Sequence, residues 1–158
     1  MRIVAEPLTA EAFKPYGAVL EGPAIPGRVY FSDTLANGRA HAPVSLSVAT
    51  VAPTKELPLI VKVLERHEHS SQSFIPLSVS RYLVLATRDA PGGGPDVSRL
   101  RAFVARAGQG VTYAMGTWHH PVTVLDAPAS FAVLMWRDGT VGDEEFVPVT
   151  IALTVDVA

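Results

Sequence analysis

Four of the five histidines stand in two tight groups, His67 with His69 and His119 with His120. Imidazole can take up or release a proton near neutral pH, and it is the commonest side chain on a transition metal. Side chains alternate along an extended strand, so His67-x-His69 is expected to put both rings on one face, about 6.5–7 Å apart along the chain. That spacing suits two ligands of one metal ion or two acid–base groups of one pocket; it also suits two ordinary, half-exposed strand histidines. The adjacent His119 and His120 should face opposite ways. At most one of them can share a pocket with His67. The surrounding pattern selects His119 and leaves His120 for packing or a subunit contact.

Such groups need a rigid frame, and the chain's punctuation says which kind. Thirteen prolines and twelve glycines, about a sixth of the 158 residues, are spread along the whole length. That density leaves little room for long helices and favours many short strands joined by turns. The one helix start is Thr9, which can cap one or two turns before Pro15 and Gly17 stop them. Strands are expected at Ser45–Val51, Leu59–His69, Phe74–Leu77, Tyr82–Thr87, Arg101–Ala105, Val111–Met115, His119–Leu125, Phe131–Trp136 and Ile151–Val155. Nine to eleven strands at this spacing predict an all-β sandwich or barrel forming a single domain over residues 1–158.

Composition removes several classes of function. Thirteen basic against fifteen acidic side chains leave a net charge of −2, with no cationic field for a nucleic-acid backbone. The longest unbroken apolar run, Phe131–Trp136, is far short of the roughly 20 residues of a membrane helix. No basic start followed by an apolar stretch marks a secretory signal, so the expectation is a soluble cytoplasmic protein. With no cysteine, disulfides, zinc thiolates, iron–sulfur clusters and thiol nucleophiles are excluded. Gly92–Gly94 lies in a loop with no Lys-Ser or Lys-Thr pair behind it, which excludes a P-loop.

The segment Gly108 to His119 reads as turn, strand, turn, and a histidine entering the next strand. It is similar to the second signature of the cupin superfamily: Gly108, Gly116 and His119 match at the right spacing, with Ala114 in place of the proline and Thr123 where asparagine is common. The first signature is matched by His67 and His69, but Val61 replaces its leading glycine and no glutamate follows. A narrower resemblance covers residues 8–21 and 57–125. The block running from Glu65-Arg66-His67 to Leu77, then Arg101 to Val104, then Gly108 to Trp118-His119-His120-Pro121, resembles the ureidoglycolate lyase family, as does the opening Leu8 to Gly17. Asn37, Gly38, Arg39 and His41 are present in a compressed version of another family segment, so substrate contacts from residues 28–45 stay open.

The resemblance implies a cupin-like β-barrel of the jelly-roll type, a homodimer, and cleavage of ureidoglycolate to glyoxylate and urea in allantoin breakdown. It also implies a divalent metal such as nickel, which the chemistry itself does not require. If a metal is bound, the candidate ligands are His67, His69 and His119. The candidate catalytic residues are His67 as base, His119 as acid, Gln72 toward the urea group and Tyr113 as a hydrogen-bonding group. Glu65 could orient the His67 ring. Arg101 is the candidate clamp for the substrate carboxylate, with His69 and Trp118 as further substrate contacts and Phe146–Val157 as the dimer contact. Two rivals use the same histidines: another metal-dependent cupin enzyme (isomerase or dioxygenase), and a cupin that binds a small molecule without catalysis.

Overall fold

The computed structural model describes residues 1–157. Strands β1 (Arg2–Val4) and β2 (Glu6–Pro7) lead to the one-turn helix α1 (Ala10–Phe13) and to β3 (Gly17–Leu20). A long irregular stretch follows, then β4 (Val44–Val51), β5 (Leu59–Ile60), β6 (Val63–Arg66), β7 (Gln72–Ser78) and β8 (Tyr82–Thr87). The rest comprises β9 (Arg101–Ala105), β10 (Gly110–Tyr113), β11 (Trp118–His119), β12 (Thr123–Val124), β13 (Ala129–Trp136), β14 (Glu145–Pro148) and β15 (Thr154–Asp156). Thr9 caps α1 as expected, its hydroxyl accepting from the Ala12 N–H at 3.1 Å.

The strands form three sheets. One has the order β3-β10-β7-β13-β4; a larger one runs β14-β6-β11-β8-β9-β2 with β12 also on β8; the third is β1-β15-β5. Strand β8 explains how they stack. Tyr82, Val84 and Ala86 point into a core shared with Phe13, Phe74, Phe103, Val111 and Phe131. Leu83 and Leu85 point the other way, into a second core with Leu59, Val61, Trp118, Leu153 and Val155. A strand covered on both faces reads as an unbroken apolar run rather than an alternating one, as Tyr82–Thr87 does. Among the described residues no helix is long and apolar enough to cross a membrane.

Four expected strands are shorter than their apolar patterns; the last, Ile151–Val155, begins only at Thr154 as β15. Leu59–His69 is broken at Val61–Lys62, where the backbone changes partners: the Val61 N–H donates to Leu153 and the Lys62 carbonyl accepts from Val149. Its first half therefore joins β15 and its second half joins β14 and β11. His119–Leu125 splits into β11 and β12 around Pro121, which has no N–H to give a ladder. Val111–Met115 stops at Tyr113 because Ala114–Thr117 is a turn. The C-terminal segment Phe146–Val157 is used largely within the chain, not kept free for a partner: β14 pairs with β6, β15 lies between β1 and β5, and Leu153 and Val155 are buried.

Candidate active site

Glu65 on β6 and His119 on β11 are direct partners across an antiparallel pairing, so their side chains leave the sheet on the same side. Trp118, one residue earlier, goes to the opposite side and into the second core. From the facing sheet come Gln72 and Tyr113, themselves cross-strand partners on β7 and β10. The Tyr113 ring lies flat on His119, with centroids 4.0 Å apart and planes at 11°.

His67, the first residue beyond β6, completes the group. The turn Ala114–Thr117 is closed by the Thr117 N–H on the Ala114 carbonyl, and the Gly116 N–H donates to the His67 carbonyl at 2.9 Å. Gly116 holds φ at +73°, the left-handed region in which a Cβ would be strained. This signature glycine thus joins the two histidine-bearing segments, and the His67 and His119 rings stand 5.4 Å apart.

Both rings are held by the same nitrogen. His67 Nδ1 lies 2.8 Å from the Asp143 carbonyl and His119 Nδ1 lies 2.9 Å from the Thr117 carbonyl. A carbonyl can only accept, so each neutral ring carries its proton on Nδ1 and turns the lone pair of Nε2 inward. Both Nε2 atoms are buried without a hydrogen-bond partner. A buried polar atom left unpaired costs about 1–3 kcal/mol; two such atoms side by side mark a place built for something else. Glu65 Oε1 stands 3.4 Å from His119 Nε2, outside hydrogen-bond alignment.

The charges differ between the groups. Burial, and then the neighbouring His119, hold the His67 ring below the ordinary histidine value, against the raising pulls of the Asp143 carbonyl, Glu65 and Glu144. Burial works against the Glu65 charge, but His119, with His67 and His120, outweighs it and keeps this carboxyl below the usual glutamate range. Burial, with Tyr82 and Glu65 adding to it, raises the Tyr113 phenol well above its ordinary value. Its hydroxyl keeps its proton at neutral pH.

The ligand atoms of Glu65, His67 and His119 all lie within 4.8 Å of one another. Two inward nitrogens, each backed by a carbonyl on the far side of its ring, with one carboxylate oxygen, form a donor set that fits a divalent transition metal. The third place in this set belongs to Glu65 and not to His69. The chain leaves the strand after Arg66 and turns at Glu68–His69, so His69 does not share a strand face with His67; its side chain is 41% exposed.

Two expected substrate contacts are also corrected. Arg101 is engaged elsewhere: its guanidinium donates to Glu6 at 2.7 and 3.0 Å and to the Ala12 carbonyl at 3.0 Å, and it lies over the Phe103 ring. Trp118 is a core residue, with its indole N–H on Asp89 at 2.8 Å and the Arg66 guanidinium 4.6 Å above its ring. Gln72 is buried on the site's side, its amide nitrogen 3.7 Å from Met135 sulfur and its Oε1 unpartnered. His120 binds the Pro121 carbonyl through Nδ1. Sequence reasoning missed Asp143, which acts on His67 through a backbone carbonyl; every residue has one, so no residue-type signal exists.

Fold and site together define an all-β protein of cupin type with a buried histidine–carboxylate centre. A dTDP sugar isomerase from Desulfovibrio desulfuricans has a similar fold, with a TM-score of 0.51 at 17% identity over 84% of this chain and 82% of that one. The sequence model of the family described as ureidoglycolate lyase matches residues 1–155. Ureidoglycolate lyase of Chelativorans sp. is 39% identical over 84% of either chain, and that of Burkholderia mallei is 36% identical over 96% of this chain and 92% of its own. The chain belongs to the ureidoglycolate lyase family.

Proposed function

We propose that this protein is a lyase cleaving ureidoglycolate to glyoxylate and urea, acting in the cytoplasm as a homodimer in the breakdown of allantoin. The observation that carries the reaction is the pair of buried, unpartnered Nε2 atoms of His67 and His119 beside Glu65. Ureidoglycolate bears a carboxylate, a hydroxyl and a ureido nitrogen on one carbon. His67 Nε2 accepts the hydroxyl proton, the oxygen closes to the carbonyl of glyoxylate, and the carbon–nitrogen bond breaks. The departing nitrogen takes a proton from Nε2 of His119, which acts as the imidazolium facing the Glu65 carboxylate; passage of the proton gained by His67 back to His119 restores both rings. No water is consumed and no electron changes hands. Each positioned proton transfer contributes on the order of 10²–10⁴-fold, and the low-lying His67 is suited to the basic role. Tyr113 keeps the His119 ring in plane from beneath.

A divalent cation held by Glu65, His67 and His119 would occupy the same two Nε2 lone pairs and supply Lewis acidity toward the substrate hydroxyl in place of the His67 base. The direct assay incubates the purified chain with ureidoglycolate and follows glyoxylate, urea and ammonia. Equal amounts of glyoxylate and urea are expected. Ammonia in place of urea would indicate a hydrolase, and binding without turnover a ligand-binding cupin.

Gln72 supports the substrate class. Its buried Oε1 lacks a donor, and a ureido group supplies N–H donors. Gln72→Leu should lower kcat/KM on the order of 10–100-fold, the worth of one buried hydrogen bond, without lowering the melting temperature. An unchanged kcat/KM would remove Gln72 from the site.

The dimer is supported by the outer face of the five-stranded sheet. Val44, Leu46 and Val48 on β4 are 61%, 71% and 68% exposed. They stand in register with Trp136, Leu134 and Ala132 on β13, and Ala132 in turn with Ile75 on β7. None of these side chains is charged, and a second copy laid on this face would cover it. Leu46→Arg should halve the mass measured by light scattering; an unchanged dimer mass would place the contact elsewhere.

A further inference from the structure

His67 depends on a contact that comes from the far end of the chain. Its Nδ1 proton goes to the carbonyl of Asp143, the last residue of a short 3-10 turn, Val141–Asp143. The local sequence braces the start of this turn, where Asp138 Oδ1 accepts from the Thr140 N–H at 3.0 Å and from the Thr140 hydroxyl at 2.6 Å, but the stretch beyond it is loose. Gly139 sits at φ +81°, Gly142 follows, and Val141 between them is 98% exposed.

What holds the turn is the Asp143 side chain. Although attached to a surface turn, it is only 3% exposed. Its Oδ1 accepts from the Asp138 N–H at 3.0 Å and from Arg39 Nη2 at 2.7 Å, and its Oδ2 accepts from the Gly139 N–H at 2.8 Å. Arg39 also reaches Asp138, with Nη1 2.9 Å from Oδ1. Gly142 leaves room for that guanidinium, since a Cβ there would lie 3.3 Å from Nη1. Burial opposes the Asp143 charge, and Arg39 with the two backbone N–H groups overcomes it, keeping the carboxyl ionised below the usual aspartate range.

Arg39 is itself stitched to the segment that follows His67. The Gly38 N–H donates to the His69 carbonyl at 2.8 Å and the Ser71 N–H to the Ala36 carbonyl at 2.9 Å. The Arg39 N–H is held by the Asn37 side chain at 3.0 Å. The Arg39 guanidinium therefore ties the strip 36–39 to the turn 138–143, and backbone bonds tie the same strip to residues 69–71 that follow His67.

We propose that Asp143, clamped by Arg39, is a positioning residue: its side chain locks the turn so that its own carbonyl fixes His67 as the Nδ1–H tautomer and aims Nε2 at the substrate. This rests on the reading of His67 as the base. Loss of such a supporting contact typically costs 10–100-fold in activity. Without it the ring can flip or move its proton to Nε2, and the lone pair no longer faces the substrate hydroxyl.

The test uses the full chain with ¹⁵N-labelled histidine, and long-range ¹H–¹⁵N spectra that distinguish the two tautomers; the His67 signals are assigned by their loss in His67→Gln. In the unaltered protein His67 should show one form, protonated at Nδ1. Arg39→Met and Asp143→Asn should show both forms for His67 while His119 keeps its pattern, and kcat should fall about 10–100-fold with a smaller change in KM. Asp143→Asn is nearly isosteric, but it sets an amide N–H against the Gly139 N–H and offers Arg39 no charge, so the chain should stay folded while the turn itself loosens. Arg39→Lys, which restores the cation, should return most of the single-form signal. A His67 ring that stays wholly Nδ1–H in folded Asp143→Asn and Arg39→Met overturns the proposal. Mixed tautomers with undiminished turnover would leave the clamp standing and overturn His67 as the base.

Discussion

Alanine at His67 or at His119 should each lower ureidoglycolate turnover by about 10²–10⁴-fold while the chain stays folded. Both rings sit in one buried group, 5.4 Å apart, and each presents an inward nitrogen that no protein group satisfies. The substrate has one proton to lose and one to gain, so each histidine has its own transfer to perform. The two act as a unit on one bond, and the double variant should be scarcely slower than the worse single variant. The measurement is glyoxylate release at saturating substrate, with circular dichroism as the check on folding. Undiminished turnover in both single variants would end the acid–base mechanism, whatever the fold.

Trp118→Ala should cost about 3–5 kcal/mol of stability, the usual range for removing a large buried aromatic. For a chain of this size that corresponds to a fall of about 6–20 °C in melting temperature. Trp118 is fully buried among Leu64, Leu83, Leu85 and Leu153. Its indole N–H also anchors Asp89, and Arg66, which bonds Glu145 and Asp89, lies over its ring. Trp118→Phe should recover most of the packing and leave KM within about twofold, because the side chain lies across the sheet from His119. A rise in KM of tenfold or more with an unaltered melting temperature would return Trp118 to the substrate site. The pairing of a histidine that acts with a tryptophan that packs follows from strand alternation alone.

The legible parts of the sequence were those in which a local period or a fixed spacing carried the information. Tyr82–Thr87 and Phe131–Trp136 were readable as strands because their apolar runs are continuous, and α1 because Thr9 and Pro15 bracket it. The spacing of Gly116 and His119 belongs to one turn entering one strand, so it too survives in the chain order. Strands β1, β2, β3 and β14 were not readable. They are short, and their pairing comes from distant residues, as in Arg2 beside Thr154 or Glu145 beside Arg66. His69 and Arg101 show a second limit. Alternation assigns a face only while the strand lasts, and β6 ends before His69; an arginine's partner depends on what the fold brings near, and for Arg101 that is Glu6. Glu65 was legible as a neighbour of His67, but its place opposite His119 required the sheet register.

The two-sided burial of β8 has a consequence for how the molecule comes apart. Tyr82, Val84 and Ala86 serve one layer and Leu83 and Leu85 the other. Melting either layer strips one flank of the same six-residue ribbon, whose remaining contacts then cannot hold it. Neither half then has a private equilibrium, so the protein should unfold as one cooperative block, with the amides of this ribbon the last to trade their protons with water.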